Sequence, residues 1–191
     1  MDLILASTSP YRKRLLERLQ IPFDCRAPDT DETPRPGEAP DALAHRLALA
    51  KAGSVATSDP TALVIGSDQV ASIDGSCIGK PDDHAAAKAQ LKASSGNRVD
   101  FYTGIAVVCR ETGHSDSLVV PFSVQFRELS DIEIENYLLK EQPYDCAGSF
   151  KCEGLGIALF ERMIGDDPTA LEGLPLIALS RLLSKAGMPV I

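Results

Sequence analysis

The chain is short of several things that would have placed it in a familiar class. No apolar run approaches the roughly 20 residues a membrane-spanning helix needs, so no membrane partner is expected. The opening stretch, Met1 to Ala6, lacks the basic segment and sustained apolar core of a secretory signal. It reads as a first strand, and a cytoplasmic location is expected. Positive charge is also scarce: 19 Lys and Arg stand against 27 Asp and Glu, a net charge of -8. That balance excludes a broad nucleic-acid surface, which needs clustered cations. It leaves room for a small anionic ligand held by a few convergent cations. The five cysteines (Cys25, Cys77, Cys109, Cys146, Cys152) are odd in number and contain no CxxC, so they read as free thiols in a reducing compartment. Neither GxxxxGK[ST] nor GxGxxG occurs. The histidines His45, His84 and His114 have no metal-ligand spacing and no serine elbow, and read as surface residues.

What is present is an ordinary globular composition, 44% hydrophobic and 24% charged, with no internal repeat or low-complexity linker. A single domain over residues 1–191 is expected. Leu3–Ala6 reads as a short buried strand, and Ser9-Pro10 as a helix start, with serine as N-cap and proline in the first turn. Leu15, Leu16 and Leu19 follow at helical spacing. Residues 21–26 read as a second strand, residues 27–40 as a loop rich in proline and acid, and residues 41–56 as a long helix. Residues 62–65 form a buried strand running into Gly66-Ser67-Asp68-Gln69-Val70. Asp74-Gly75 signals a hairpin. Residues 83–93 read as a helix, and 97–109 and 118–126 as long strands around a turn at Gly113. Ser130 and Glu133 have capping-box spacing. Residues 154–158 look extended, and residues 174–186 form a last amphipathic helix. The order predicts a mixed α/β sheet that is not purely parallel.

Five segments offer chemistry. Ala6-Ser7-Thr8-Ser9-Pro10-Tyr11-Arg12 sits at a strand-to-helix junction, where unpaired N–H groups and the helix dipole favour an anion. The same residues also suit plain capping with Arg12 on a solvated face. Asp68 follows an apolar strand and is expected at its end, where a carboxylate can bind a divalent metal or act on water. An ordinary turn aspartate fits equally. Lys80, in Gly79-Lys80-Pro81, and Lys51, late in the second helix, can each reach a phosphate or face solvent. Residues 148–156 are rich in glycine and charge, and without the other segments read as a flexible connection.

As an ordered set, these segments stop looking accidental. Ala6-Ser-Thr-Ser-Pro-Tyr-Arg12, Asp31-Glu32-Thr33, the helix with Lys51, Gly66-Ser-Asp-Gln69, Gly79-Lys-Pro81, Phe101-Tyr-Thr-Gly104 and Ala147-Gly-Ser-Phe-Lys151 resemble the Maf family of nucleotide pyrophosphatases. They occur in the family's order and cover essentially the whole chain. The resemblance implies a mixed sheet with flanking helices in two lobes around a central cleft, related to inosine-triphosphate pyrophosphatases, and often a homodimer. It implies cleavage of a nucleoside triphosphate to a monophosphate and pyrophosphate with a divalent cation, Mg2+ or Mn2+. By matching position, Asp68 becomes the catalytic carboxylate and Glu32 a second acid near the metal. Ser7, Arg12, Lys51 and Lys80 become triphosphate contacts.

Three departures from the common family pattern point to one subfamily. Tyr11 replaces the first of two arginines, Ser67-Asp68-Gln69 replaces Ala-Asp-Thr, and Glu153 stands where relatives acting on dTTP and UTP have glutamine. The combination resembles the 7-methyl-GTP pyrophosphatases. N7-methylation makes guanine cationic, so an aromatic face such as Tyr11 gains a cation–π attraction of about 0.5–2 kcal/mol. Glu153 can accept from the N1–H and exocyclic amine of the base, and Gln69 supplies a further polar contact. Two other readings stay open at this point: a dTTP, UTP or other modified-nucleotide pyrophosphatase, and a nucleotide-binding regulator of septum formation with little turnover.

Overall fold

The computed structural model describes all 191 residues. The strands are β1 (Leu3–Ala6), β2 (Asp24–Arg26), β3 (Leu63–Ile73), β4 (Ser76–Ile78), β5 (Arg98–Cys109), β6 (His114–Phe126) and β7 (Phe160–Ile164). The helices are α1 (Pro10–Glu17), α2 (Pro40–Ser58), α3 (His84–Ser94), α4 (Asp131–Glu141) and α5 (Leu176–Lys185). One sheet joins the strands in the order β2-β1-β3-β5-β6-β7, with β4 hairpinned onto β3. β1 pairs in parallel with β2 and β3, while β3–β4 and β6–β7 are antiparallel. The mixed sheet with helices is the class the sequence predicts. No helix is long and apolar enough to cross a membrane.

Two compact units divide the chain. The first comprises Met1–Gln69, Tyr102–Val120 and Asp167–Ile191; the second comprises Val70–Phe101 and Pro121–Asp166.

In the first unit, strand alternation sorts the side chains into two apolar layers. Leu3, Leu5, Leu63, Ile65, Ile105 and Val107 pack with Leu15 and Leu16 of α1 and with Leu179, Leu182 and Leu183 of α5. Ile4, Ala6, Val64 and Ala106 pack on the other face with Ala48, Ala52, Val55 and Ala56 of α2. Each large aliphatic side chain so buried contributes about 1.5–3 kcal/mol. The α2 face is mostly alanine, and the strands beneath it supply glycines. A Cβ at Gly66 would run into the carbonyl of Ala48, and one at Gly104 into the carbonyl of Ala44. Helix and sheet therefore touch backbone to backbone, a spacing that only glycine allows. β2 is shorter than expected: only Asp24, Cys25 and Arg26 pair, with Ile4, Leu5 and Ala6. Ile21 and Phe23 instead lie against the core as partly buried residues.

In the second unit, Asp74 (φ 49°) and Gly75 (φ 80°) turn β3 into β4. Positive φ at both positions is the hairpin geometry that an Asp-Gly pair signals. Asp83 caps α3 by accepting from the Ala86 N–H, and Ser130 with Glu133 forms a complete capping box on α4. Four phenylalanines, Phe101, Phe126, Phe150 and Phe160, stack edge to face with centroids 5.0–5.7 Å apart. They fix the glycine-rich segment, so it is no loose connection. Ser149 there is fully buried and donates to Gln90 Oε1 at 2.5 Å. Residues Leu155–Leu159 form a 3-10 helix in place of the extended run expected, because the Gly154 and Gly156 N–H groups fold back onto the Lys151 carbonyl. β7 has no counterpart in the sequence reading; its exposed, charged Glu161 and Arg162 mask the alternation.

Candidate functional site

The site in the first unit exists because β1 stops early. Leu5 pairs with Ile65, and β1 ends at Ala6, but β3 continues to Ile73. Beyond Ala6 the chain leaves the sheet through Ser7-Thr8 and enters α1, so β1 does not accompany β3 between Ile65 and Ala71, where pairing with β4 begins. Asp68 is thus in the middle of its strand, not at the end as expected. The end that matters is that of the neighbouring β1, and the crevice beyond a strand's carboxyl end is where α/β proteins gather functional groups.

Asp68 shares a face of β3 with Gly66 and points toward α2. There Lys51 belongs to the buried stripe Leu43, Ala44, Leu47, Ala48, Lys51, Ala52, Val55. Lys51 Nζ lies 2.6 Å from Asp68 Oδ1 and 2.8 Å from Glu32 Oε1. The Lys51 side chain is 7% exposed and that of Asp68 10%, against 59% for Glu32. The lysine is therefore no solvated helix residue: it holds a buried aspartate on one side and draws in a loop glutamate on the other. The loop is pinned elsewhere as well. Arg46, five residues before Lys51, grips Glu38 through Nε and Nη2 at 2.6 and 2.8 Å and donates to the Thr33 carbonyl at 3.1 Å. These contacts, with the Arg35 N–H on Glu38, hold the Glu38 carboxyl down at about 2.

Arg12 approaches from α1. Its Nε donates to the Gly173 carbonyl at 2.9 Å, which fixes the plane of the guanidinium. Burial pushes the guanidinium below its ordinary value, and the charges of Asp68 and Glu32 oppose that shift. The arginine thus senses the same two carboxylates as Lys51. Ser7 is buried, and its Oγ accepts from the Ser9 N–H at 3.1 Å. Ser9 Oγ in turn accepts from the Arg12 N–H at 3.4 Å. Tyr11 is half-buried on the same helix.

Gln69 and Ser67 face away from Asp68, toward residues 170–173. Ser67 Oγ lies 2.9 Å from both the Gly104 and the Gly173 carbonyls. Gln69 Nε2 lies 2.8 Å from the Ala170 carbonyl, 3.0 Å from that of Leu171 and 3.2 Å from Thr103 Oγ1. The sequence reading missed this 170–173 segment. A buried carboxylate just before it, Asp167, accepts from Thr169 through N–H and hydroxyl and from the Ile177 N–H at the start of α5. Thr169 Oγ1 accepts from the Leu176 N–H. The available signals were Asp167-x-Thr169 spacing and Gly173, whose φ of 96° suits glycine.

Lys80 and Glu153 belong to the second unit. Lys80 is exposed in the loop between β4 and α3, and Glu153 is exposed after Lys151, with Cys152 Sγ 3.6 Å from its Oε2. Of the nine residues singled out from sequence, the first unit brings Arg12, Glu32, Lys51 and Asp68 into one charged group. Ser7 and Tyr11 stand on the segment leading to Arg12, and Gln69 on the strand of Asp68.

Two of the three histidines, His45 and His84, are more engaged than expected of surface residues. His45 bonds Ser117 at 2.8 Å, and His84 bridges Tyr144 and Glu135. All five cysteines are free.

No group of three or more His, Cys, Asp or Glu side chains forms a ready-made metal cage. Asp68 and Glu32 nonetheless aim oxygens at one cationic position, which Lys51 Nζ now fills. Two carboxylates completed by phosphate oxygens and water are a donor set that magnesium accepts.

The family described as Maf-like protein matches residues 2–186. Among curated relatives, a 7-methyl-GTP pyrophosphatase of Albidiferax ferrireducens is 56% identical over 99% of this chain and 95% of its own. One of Nitrosococcus oceani has the same identity and coverage. One of a Polaromonas species is 57% identical over 97% of this chain and 85% of its own. Among solved structures, the Staphylococcus aureus Ham1 protein aligns with a TM-score of 0.46 and 16% identity, over 69% of this chain and 73% of that one.

Proposed function

Since the chain belongs to the Maf family, we propose that it hydrolyses 7-methyl-GTP between the α- and β-phosphates, releasing 7-methyl-GMP and pyrophosphate. The observation that carries this reading is the buried Lys51–Asp68 ion pair with the exposed Glu32 drawn onto the same lysine, and with Arg12 under the influence of the same two carboxylates. Burying charge is costly, and a purely structural role would be served as well by apolar residues. A cluster of this kind is suited to exchanging partners when a polyphosphate arrives.

In this reading Arg12 presents its free guanidinium edge to phosphate oxygens, and Lys51 shifts from the carboxylates to the phosphates. Both cations offset the charge that gathers on the phosphoryl oxygens as the α–β bond breaks. Ser7 adds a hydroxyl donor. Asp68, relieved of Lys51, accepts a proton from the water that attacks the α-phosphorus. Asp68 and Glu32 would hold the divalent cation, which supplies Lewis-acid polarisation of the phosphates when bound. Lys80 is assigned to the phosphates and Tyr11 and Glu153 to the base by motif and chemistry: an aromatic face and a carboxylate both favour a cationic purine.

The test is Asp68→Asn, followed by pyrophosphate release with Mg2+ or Mn2+ present. A loss of about 10²–10⁴ in kcat is expected of a general base, and near-wild-type turnover would remove Asp68 from the mechanism. A panel of triphosphates compared by kcat/KM tests the substrate. A wide preference for UTP or dTTP over 7-methyl-GTP would overturn the assignment of Tyr11 and Glu153.

A further inference from the structure

A long exposed side chain such as Glu153 discriminates between bases only if the backbone beneath it is held. Ordering a loose turn at the moment of binding would offset much of what the carboxylate gains. The turn beneath Glu153 is held from both ends. At its start the Lys151 N–H donates to Tyr137 Oη at 3.0 Å, and at its end the Leu155 N–H donates to Glu141 Oε2 at 2.7 Å. Between them the Gly154 and Gly156 N–H groups close on the Lys151 carbonyl at 3.3 and 3.0 Å. Glu153 stands midway between the two pinned amides.

Both pins come from α4. Tyr137 and Glu141 are four residues apart, so they share one helix face. Tyr137 is buried and Glu141 half-buried. Burial pushes the Tyr137 hydroxyl up; the Lys151 N–H opposes that shift, and the charges of Glu141 and Glu153 add to it. The two carboxylates therefore stand near the same phenol. The fit at Glu141 is closer still. A Cβ on Gly154 would lie 2.8 Å from Glu141 Oε2 and 2.9 Å from Oε1, so the carboxylate occupies the space a side chain would take. Glu141 is the last residue of α4, where a carboxylate opposes the helix dipole and the helix gains nothing from it. What Glu141 stabilises is the turn.

We infer that Glu141, together with Tyr137, is a positioning residue for Glu153, holding the Lys151–Leu155 turn so that the Glu153 carboxylate is set in advance for a cationic purine. The inference rests on the base role of Glu153 proposed above. What the turn requires at position 141 is an acceptor. Glu141→Gln keeps one, whereas Glu141→Ala removes it and leaves the Leu155 N–H without its partner.

The readout is the ratio of kcat/KM for 7-methyl-GTP to that for GTP, because general damage to the fold lowers both rates alike and leaves the ratio in place. Glu141→Ala is expected to lower the ratio about two- to tenfold, the scale of ordering one flexible side chain on binding. Glu141→Gln is expected to keep the wild-type ratio. In a Glu153→Gln background, where the ratio has already fallen, Glu141→Ala is expected to lower it no further. A wild-type ratio in Glu141→Ala beside a fallen one in Glu153→Gln would overturn this inference alone. An equal fall in Glu141→Gln and Glu141→Ala would also overturn it, by making Glu141 a direct charge on the base. So would an undiminished effect of Glu141→Ala in the Glu153→Gln background. Should Glu141→Ala fail to fold, Tyr137→Phe removes the other pin by deleting one oxygen and carries the same measurements and the same expectation. A wild-type ratio in Glu153→Gln would instead overturn the base role of Glu153 itself.

Discussion

Lys51 is where the energetics of the site concentrate. A lysine side chain is almost never buried unless paired, and this one is 7% exposed with two carboxylates within 2.8 Å. Removing one partner of such a group leaves the other charged and desolvated, at a cost of about 3–5 kcal/mol. Lys51→Met is therefore expected to lower unfolding stability by that order in urea and to abolish turnover. Lys51→Met combined with Asp68→Leu should regain much of the stability and none of the activity, because a well-packed apolar pair replaces a broken ionic one. Equal stability of wild type and Lys51→Met would show that the pair carries no such strain. At this scale the sequence was informative about residue type and position in motif. It did not reveal that Lys51 lies on the inner stripe of α2, because a lone lysine among alanines reads equally well as the solvated edge of a helix.

The elements explain why those side chains meet. α2 lies against β3 and β5 at a separation set by Gly66 and Gly104, and Lys51 reaches Asp68 only from that height. Gly66→Ala forces a Cβ against the Ala48 carbonyl and the Ala52 N–H, both main-chain groups that cannot rotate away. Overpacking of this kind costs typically about 1–3 kcal/mol, so Gly66→Ala should lower the melting temperature and lower kcat/KM as well. The loop before α2 is held by charge instead. Glu38 is depressed to about 2 in the folded chain from 4.5, so its contribution is present above pH 4.5 and is lost as pH falls toward 2. Hydrogen exchange at the Arg35 amide, which donates to Glu38, is expected to be protected down to about pH 4.5 and to open progressively below it. Glu38→Gln should open it at neutral pH. Periodicity and capping residues made most of the strands and helices legible in advance. The 170–173 turn was not, since what it offers is main-chain carbonyls, and carbonyls leave no letter in a sequence.

Across the whole molecule, an acidic chain of net charge -8 is asked to bind one of the most anionic of small metabolites. The conflict is resolved locally, with Arg12 and Lys51 set among carboxylates that a divalent cation would share. With only two such carboxylates and no cage of three or more ligands, a divalent cation in the proposed reaction would be held together with the substrate's phosphates. Chelation should therefore abolish turnover, restored by Mg2+ or Mn2+, while leaving the melting temperature unchanged. A large drop in melting temperature on adding chelator would point to a structural metal instead.

The central claim is that water attacks the α-phosphorus under control of Asp68. Turnover of 7-methyl-GTP in ¹⁸O-labelled water, with products separated and weighed by mass spectrometry, tests it most directly. The account predicts one labelled oxygen in 7-methyl-GMP and none in pyrophosphate. Label in pyrophosphate, or release of orthophosphate in its place, would contradict it.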